Sequence, residues 1–250
     1  MISLNQIKFL RSLELKKYRS IENQVLLDGK RLIHEAIKQQ INIQHIWISN
    51  NNKINNNFIK NIELNNIEYS FEKDKSLNKI SNTKNSQGIL ALISTKNMYN
   101  SDLKKFNNKI IILDQISDPG NLGTIIRTCA WFGVKSIILT KNSADIFNYK
   151  CIRSSVGGHF YIKNLTYLSY EEICEYILNN DYSILCADKN GTDINKIQID
   201  NNWVLILGSE AHGINEKLNF DSKVSIKGKG KIESLNVSVA AGILLSNLMK

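Results

Sequence analysis

Apolar residues follow two different periods along this chain. Ile110-Ile111-Ile112-Leu113 and Trp203-Val204-Leu205-Ile206-Leu207 are unbroken runs, too short for helices. Such runs predict strands buried on both faces, over 109–114 and 203–207. Shorter runs predict strands at 136–140, 159–162, 182–187 and 224–226. Between them, apolar positions three and four apart predict helices at 121–132, 147–154, 171–178 and 235–249. Strands alternating with helices read as a βαβ series, hence a mostly parallel sheet flanked by helices. The first third repeats the alternation on a smaller scale. Strands are expected at 23–28, 43–49, 68–71 and 88–94, and helices at 29–40 and 58–64. Leu32, Ile33, Ala36 and Ile37 share one face of the first of those helices. The expected fold class is α/β in two parts, a small N-terminal unit over 1–95 and a larger one over 109–250. The polar stretch 96–108 lacks apolar periodicity and is the expected linker.

Composition narrows the class. Hydrophobic residues make up 42% of 250, enough for a proper core and too many for a disordered chain. With 32 Lys+Arg against 23 Asp+Glu the net charge is +9. That balance suits an anionic partner such as nucleic acid, or simply a well-solvated basic surface. Asn, Ile and Lys are abundant throughout and Pro119 is the only proline, so uniform bias accounts for much of the lysine. Arginine is scarce by contrast: Arg11, Arg19, Arg31, Arg127 and Arg153. Each marks a place where a planar bidentate donor is of use. Cys129, Cys151, Cys174 and Cys186 form no C-x-x-C pair and no zinc-finger spacing, which disfavours structural zinc and a disulfide framework. Free thiols in a reducing compartment are expected. The first residues lack the apolar stretch of a signal peptide, and no apolar run nears the roughly 20 residues of a membrane helix. A cytoplasmic protein is the expectation.

Three glycine-bearing loops follow strands of the second unit. They run from Asp114 through Pro119-Gly120-Asn121-Leu122-Gly123 to Arg127, from Leu207-Gly208-Ser209-Glu210 to Gly213, and from Ile226-Lys227-Gly228 to Ser234-Leu235-Asn236. Ligands of open α/β sheets bind beyond the carboxyl ends of strands, and glycine admits close backbone approach, so these loops are plausible site walls as well as ordinary turns. The usual cofactor signatures are missing. No G-x-x-x-x-G-K-[ST] occurs, no G-x-G-x-x-G opens a helix after either unit's first strand, and Gly208-Ser209-Glu210 does not complete a nucleophile elbow.

Taken together, the three loops resemble the three motifs of the SpoU/TrmH family of RNA ribose 2′-O-methyltransferases, within the SPOUT superfamily. Glu233-Ser234-Leu235-Asn236-Val237-Ser238-Val239-Ala240 is the most specific match, and Arg153-Ser154-Ser155-Val156-Gly157-Gly158 resembles a segment the family carries between its first two motifs. The likeness covers about 109–250. Lys16-Lys17-Tyr18-Arg19, Leu27-Asp28-Gly29-Lys30-Arg31-Leu32 and Ser86-Gln87-Gly88-Ile89-Leu90-Ala91 resemble, more weakly, the RNA substrate-binding domain of rRNA-modifying members. There are two departures. Ile226-Lys227-Gly228 stands where the family often has Ile-Pro-Met, and Ala211 replaces a usual glycine.

The resemblance implies a deep trefoil knot in the second unit, S-adenosylmethionine as donor, and a homodimer. Donor contacts would come from Leu207, Gly208, Ile226 and Leu235. The implied catalytic set is Asn121, Arg127, Glu210, Ser234 and Asn236, with Glu210 orienting Arg127 or Asn121. On the residues alone, Asn121 and Ser234 are equally readable as helix caps, and Arg127 as a surface ion-pair partner. RNA contacts would be Lys16, Lys17, Tyr18, Arg19, Lys30, Arg31 and Arg153, or the first group would be a solvated charge run. His212 has no second ligand nearby, so no metal is expected. The substrate implied is rRNA. The alternatives are a tRNA ribose 2′-O-methyltransferase and a non-catalytic RNA-binding protein.

Overall fold

The computed structural model describes residues 2–83, 86–106 and 108–250. In chain order the elements are α1 (Leu4–Ser12), α2 (Lys16–Glu22), β1 (Gln24–Asp28), α3 (Lys30–Lys38), β2 (Ile43–Ser49), α4 (Asn56–Leu64), β3 (Tyr69–Glu72), α5 (Asp74–Asn78) and β4 (Ile89–Ser94). They continue as β5 (Lys109–Leu113), α6 (Pro119–Trp131), β6 (Ser136–Thr140), α7 (Tyr149–Ser155), β7 (Asn164–Leu168), α8 (Tyr170–Leu178), β8 (Ser183–Asp193), β9 (Trp203–Leu207), β10 (Ser222–Ser225) and α9 (Val237–Leu248). Among the described residues no helix is long and apolar enough to cross a membrane.

Two compact units result. The first comprises Met1–Met98 together with Phe147–Phe160, and the second Tyr99–Ile146 with Tyr161–Lys250. The first unit holds a mixed sheet of order β1-β4-β2-β3, with β4 antiparallel to β1 and β2, and β3 parallel to β2. Ile89-Leu90-Ala91-Leu92-Ile93 in β4 is apolar at every position, so both sheet faces require cover. Ile46, Ile48, Ile89 and Ala91 pack with Ile33, Ala36 and Ile62 on one side, joined by Ile152 and Phe160. Trp47, Leu90 and Leu92 pack on the other with Ile7, Leu10, Leu13 and Leu77. The N-terminal helices, which the sequence pattern does not announce, exist to bury this second face. Ser3 and Gln6 close a capping box at the start of α1.

The second unit holds six parallel strands in the order β10-β8-β9-β5-β6-β7. Its central strands are buried along their length, as expected of a sheet covered on both faces. Ile110, Ile112, Ile138, Val204 and Ile206 meet Ile173 and Ile177 of α8. After β10, at the sheet edge, the chain returns to lay α9 against α6.

One expected strand is absent. The stretch 159–162 forms a 3-10 turn over Gly158–Tyr161, and the strand lies further on as β7. Val156 (φ 49) and Gly157 (φ 89) turn the chain into left-handed backbone just before it. His159 is then buried, with Nδ1 2.6 Å from Ser155 Oγ. An apolar run is held here by tertiary contacts and not by a ladder.

Candidate active site

The strand order of the second unit reverses between β5 and β9. From β5 the chain steps through β6 to β7 on one side, then crosses to β8 and returns to β9 on the other. Loops leave the carboxyl ends of these adjacent strands at this point, the usual ligand position in such sheets. The two loops are tied at their base. Asp114 N donates to Leu207 O at 2.8 Å. The Asp114 carboxylate is fully buried and accepts from Tyr170 Oη at 2.9 Å and from Asn215 N at 2.8 Å. Gln115 Nε2 donates in turn to Tyr170 Oη at 2.8 Å. A buried charge has to be hydrogen-bonded in this way, and here the bonds pin the loop after β9 to the end of β5. Burial, then the bond to Asp114, pushes the Tyr170 phenol up. Neither residue was expected in the site. The available signal was a carboxylate ending an otherwise apolar strand.

Three loops then converge on one oxygen. Glu210 Oε1 accepts from Asn121 Nδ2 at 3.1 Å, from Asn236 Nδ2 at 2.7 Å and from Val237 N at 3.1 Å. Asn236 Nδ2 uses its other hydrogen on Asn121 Oδ1 at 3.0 Å. Asp118 caps α6, its Oδ1 accepting from Asn121 N at 2.7 Å, with Pro119 as first helical residue. That leaves the Asn121 amide to reach across to Glu210. Asn236 caps α9, Oδ1 accepting from Ser238 N at 3.0 Å and from Ser238 Oγ at 2.6 Å. The caps are therefore Asp118 and Asn236, not Asn121 and Ser234. Glu210 sits at the α9 N-terminus, where negative charge is favoured.

Other expected site residues lie outside this network. Arg127 is exposed on α6 and makes no hydrogen bond or ion pair with a described residue. It stands six residues beyond Asn121, about 240° around the helix. Of the two partners expected for Glu210, the structure joins it to Asn121. Ser234 and Leu235 are exposed, and Ser234 bonds to no described residue. Leu207 is buried at the end of β9, and Ile226 is half-buried just past β10. Gly208 admits no side chain, because a Cβ there would lie 2.4 Å from the carbonyl of Gly213. The main-chain groups of 227–235 hydrogen-bond to no described residue. His212 is exposed, and no cluster of three metal-ligating side chains occurs among the described residues.

The expected RNA contacts fall on the first unit. Lys16, Lys17 and Tyr18 are exposed on α2, with Lys17 Nζ 6.0 Å from the Tyr18 ring centroid. Arg19 needs correction. It is 7% exposed, and its Nη1 donates to Leu13 O at 2.8 Å and Glu14 O at 2.6 Å. It pins the bend between α1 and α2, so its donors are turned inward. Lys30 and Arg31 open α3, with Lys30 Nζ 5.5 Å from the Phe58 ring. Arg153 is exposed on α7, which packs in this same unit. Burial raises the Asp28 pKa, opposed by hydrogen bonds from Ser81 and Thr83 and by the Arg153 charge.

With its six-stranded parallel sheet and the Asn121–Glu210–Asn236 network at the switch point, the second unit is a methyltransferase domain of the SPOUT class, as the family match over its residues shows. The chain belongs to the SpoU rRNA methylase family, which residues 108–246 match, while residues 5–91 match an MRM3-like substrate binding domain. An uncharacterized tRNA/rRNA methyltransferase of Borreliella burgdorferi is 32% identical over 86% of this chain and 91% of its own length. The 23S rRNA (guanosine(2553)-2′-O)-methyltransferase of Bacillus subtilis is 29% identical over 97% and 95%. The AdoMet-bound rRNA methyltransferase of Sinorhizobium meliloti shares the fold, with a TM-score of 0.85 over 99% and 96% of the chains at 23% identity.

Proposed function

We propose that this protein transfers a methyl group from S-adenosylmethionine to a ribose 2′-hydroxyl of ribosomal RNA in the cytoplasm. The observation that carries the reading is the convergence of Asn121, Glu210 and Asn236, from three separate loops, on one oxygen at the sheet's switch point. The residues suit the donor. The unpaired main-chain groups of 227–235, with Leu207, Gly208, Ile226 and Leu235 around them, offer both hydrogen-bond senses to an adenosine. When bound, the donor supplies a methyl group made electrophilic by its sulfonium. We take these loops to be knotted, as the family resemblance implies.

The chain's own part is positioning and electrostatics. Glu210 fixes the Asn121 and Asn236 amides, and Asn236 at the same time fixes the start of α9. A guanidinium keeps its proton at any ordinary pH, so Arg127 is not a base. Its role is to hold the phosphate beside the target ribose and to stabilise charge growing on the 2′-oxygen, while phosphate or water takes the proton. Arg127, exposed and bonded to no described residue, supports a site completed by a second copy of the chain. A substrate-binding unit with Lys16, Lys17, Tyr18, Lys30, Arg31 and Arg153 supports a large structured RNA such as rRNA. We assign RNA recognition to the first unit, with Arg153 in it, and donor binding to the second.

The test is to map ribose methylation in total RNA from cells with and without the protein. One rRNA ribose should lose its methyl group, and the purified chain should restore it. Arg127→Ala should abolish transfer with S-adenosylmethionine affinity held within a few-fold. Arg127→Lys should fail too, since it keeps the charge and loses the planar fork. An unchanged rRNA methylation map, or full activity of the Lys variant, would refute the corresponding part.

A further inference from the structure

Glu210 reaches Asn121 and Asn236 from a tight turn, and the base of that turn is held from outside. Within the turn Gly213 N donates to Ser209 O at 2.9 Å, and Gly213 takes left-handed backbone (φ 68). Just beyond it Asn215 N donates to the buried Asp114 carboxylate, while Asn215 Oδ1 accepts from Lys217 N at 3.0 Å. Asp114 also begins the loop that carries Asn121. The two side chains that must meet, those of Asn121 and Glu210, therefore share one footing.

That footing is completed by a residue from neither loop. Tyr170 is the first residue of α8, the helix that carries the chain from β7 to β8. Its hydroxyl donates to Asp114 Oδ1 at 2.9 Å and accepts from Gln115 Nε2 at 2.8 Å. Gln115 has left-handed backbone (φ 53), uncommon for a side chain of this kind. Two bonds fix it there, one from its own N to Thr140 Oγ1 at 2.9 Å and the other to Tyr170. A sparsely populated conformation persists only where its surroundings over-determine it, and such positions gather at functional sites. The ring of Tyr170 is engaged as well, since Lys217 Nζ lies 5.9 Å from its centroid and 3.8 Å from Glu171. Tyr170 thus meets one loop through Asp114 and Gln115 and the other through Lys217. It hydrogen-bonds to none of Asn121, Glu210 and Asn236.

We propose that Tyr170 is a positioning residue for methyl transfer, its hydroxyl locking Asp114 so that Glu210 stays in register with Asn121. Without the hydroxyl, the Asp114 carboxylate keeps the bond from Asn215 N and loses its side-chain donor. A buried carboxylate short of a donor is costly, so both loop bases shift to recover one. Leu207 and Gly208 are held differently. Leu207 is paired with Leu113 in the sheet, and Gly208 lies tight against Gly213. Donor contacts there survive a shift that separates Glu210 from Asn121. The role rests on the methyl-transfer reading for the reaction it serves, but the hold on the turn can be measured without transfer.

The experiment compares the full chain with Tyr170→Phe and with Tyr176→Phe. Tyr176 is also on α8, and its hydroxyl pairs with Tyr182 Oη at 3.0 Å. The second variant therefore loses a similar hydrogen bond at another place on the same helix. Single-turnover transfer to rRNA from cells lacking the protein, with donor and RNA saturating, should slow about 10- to 100-fold in Tyr170→Phe, as for a misplacement on the order of 1 Å. S-adenosylmethionine affinity by calorimetry should stay within about threefold, the split expected when only transition-state geometry is lost. Amide exchange over 209–218, followed by mass spectrometry, should quicken in Tyr170→Phe. Tyr176→Phe should match the native chain in all three measurements. Unchanged transfer and exchange in Tyr170→Phe would overturn the proposal. So would equal effects in the two variants, or a donor affinity that falls by the same factor as the rate, either of which would mean general loosening. If the native chain binds S-adenosylmethionine but methylates no rRNA, the methyl-transfer reading fails, and exchange over 209–218 still decides whether Tyr170 holds the turn.

Discussion

Arginine and cysteine show most directly how single residues are used. In a chain so rich in lysine, Arg19 places one guanidinium nitrogen, Nη1, on two main-chain carbonyls, those of Leu13 and Glu14. Nothing in the local sequence separates it from its exposed neighbours Lys16 and Lys17, because its partners are carbonyls that carry no side-chain signal. The cysteines divide just as sharply. Burial pushes the Cys129 thiol up to about 12 and the Cys186 thiol up to about 11, and Cys151 is fully buried. Thiolate is the reactive form, so these three should be inert. Cys174 alone is half-exposed, its Sγ 3.1 Å from Lys217 O. Native protein titrated with a thiol reagent at pH 8 should show one fast-reacting group, and Cys174→Ser should remove it. Any fast-reacting group left in that variant would contradict this burial pattern.

Among elements, α9 matters most to the site. Its cap is Asn236, and a lost N-cap costs about 1 kcal/mol. In a chain of this size that corresponds to roughly 2–4 °C in Tm. Asn236→Ala should therefore lower Tm by about that much or slightly more, since it also frees Glu210. Ser234→Ala should leave Tm within about 1 °C on the same argument. Calorimetry on the two variants decides between the two residues as caps, and equal losses would mean the α9 start is misassigned. From sequence, Ser234 reads as the possible cap and Asn236 as a site residue, since both types cap well and stand two positions apart. What was legible follows the same logic. Strands β5 and β9 are apolar at nearly every position, and β6 through its middle three, so local pattern suffices. The 3-10 turn at Gly158–Tyr161 is apolar too, but long-range packing of His159 and Phe160 decides its form. The converging asparagines and Glu210 were visible only as loop motifs, because no spacing rule brings residues so distant in sequence together.

For the whole molecule, the small residues of α9 serve packing within the chain: Ala241 is buried and Gly242 faces Thr128 of α6. The homodimer proposal now rests on what stays outside: Trp131 is 85% exposed, Val239 51% and Ile243 37%, on the two helices that pack together. Sedimentation at working concentration should give a dimer, and Trp131→Glu should give a monomer without transfer activity. A fully active monomer would refute the pairing. A fragment lacking the first 98 residues would be a poor test of the catalytic unit, since Ile152 and Phe160 would lose the apolar surface they pack against. The excursion of Phe147–Phe160 into the first unit also bears on how the protein is made. A ribosome releases the chain in order, and the N-terminal unit is missing two wedges of its core until residue 160 has been synthesised. At roughly 5–20 residues per second, that delay after residue 98 is about 3 to 12 s. During that time the apolar surface of Leu27, Leu32 and Ile93, which Phe147, Ile152 and Phe160 later cover, stands open to water, so the first unit completes its core only after the second has begun to emerge.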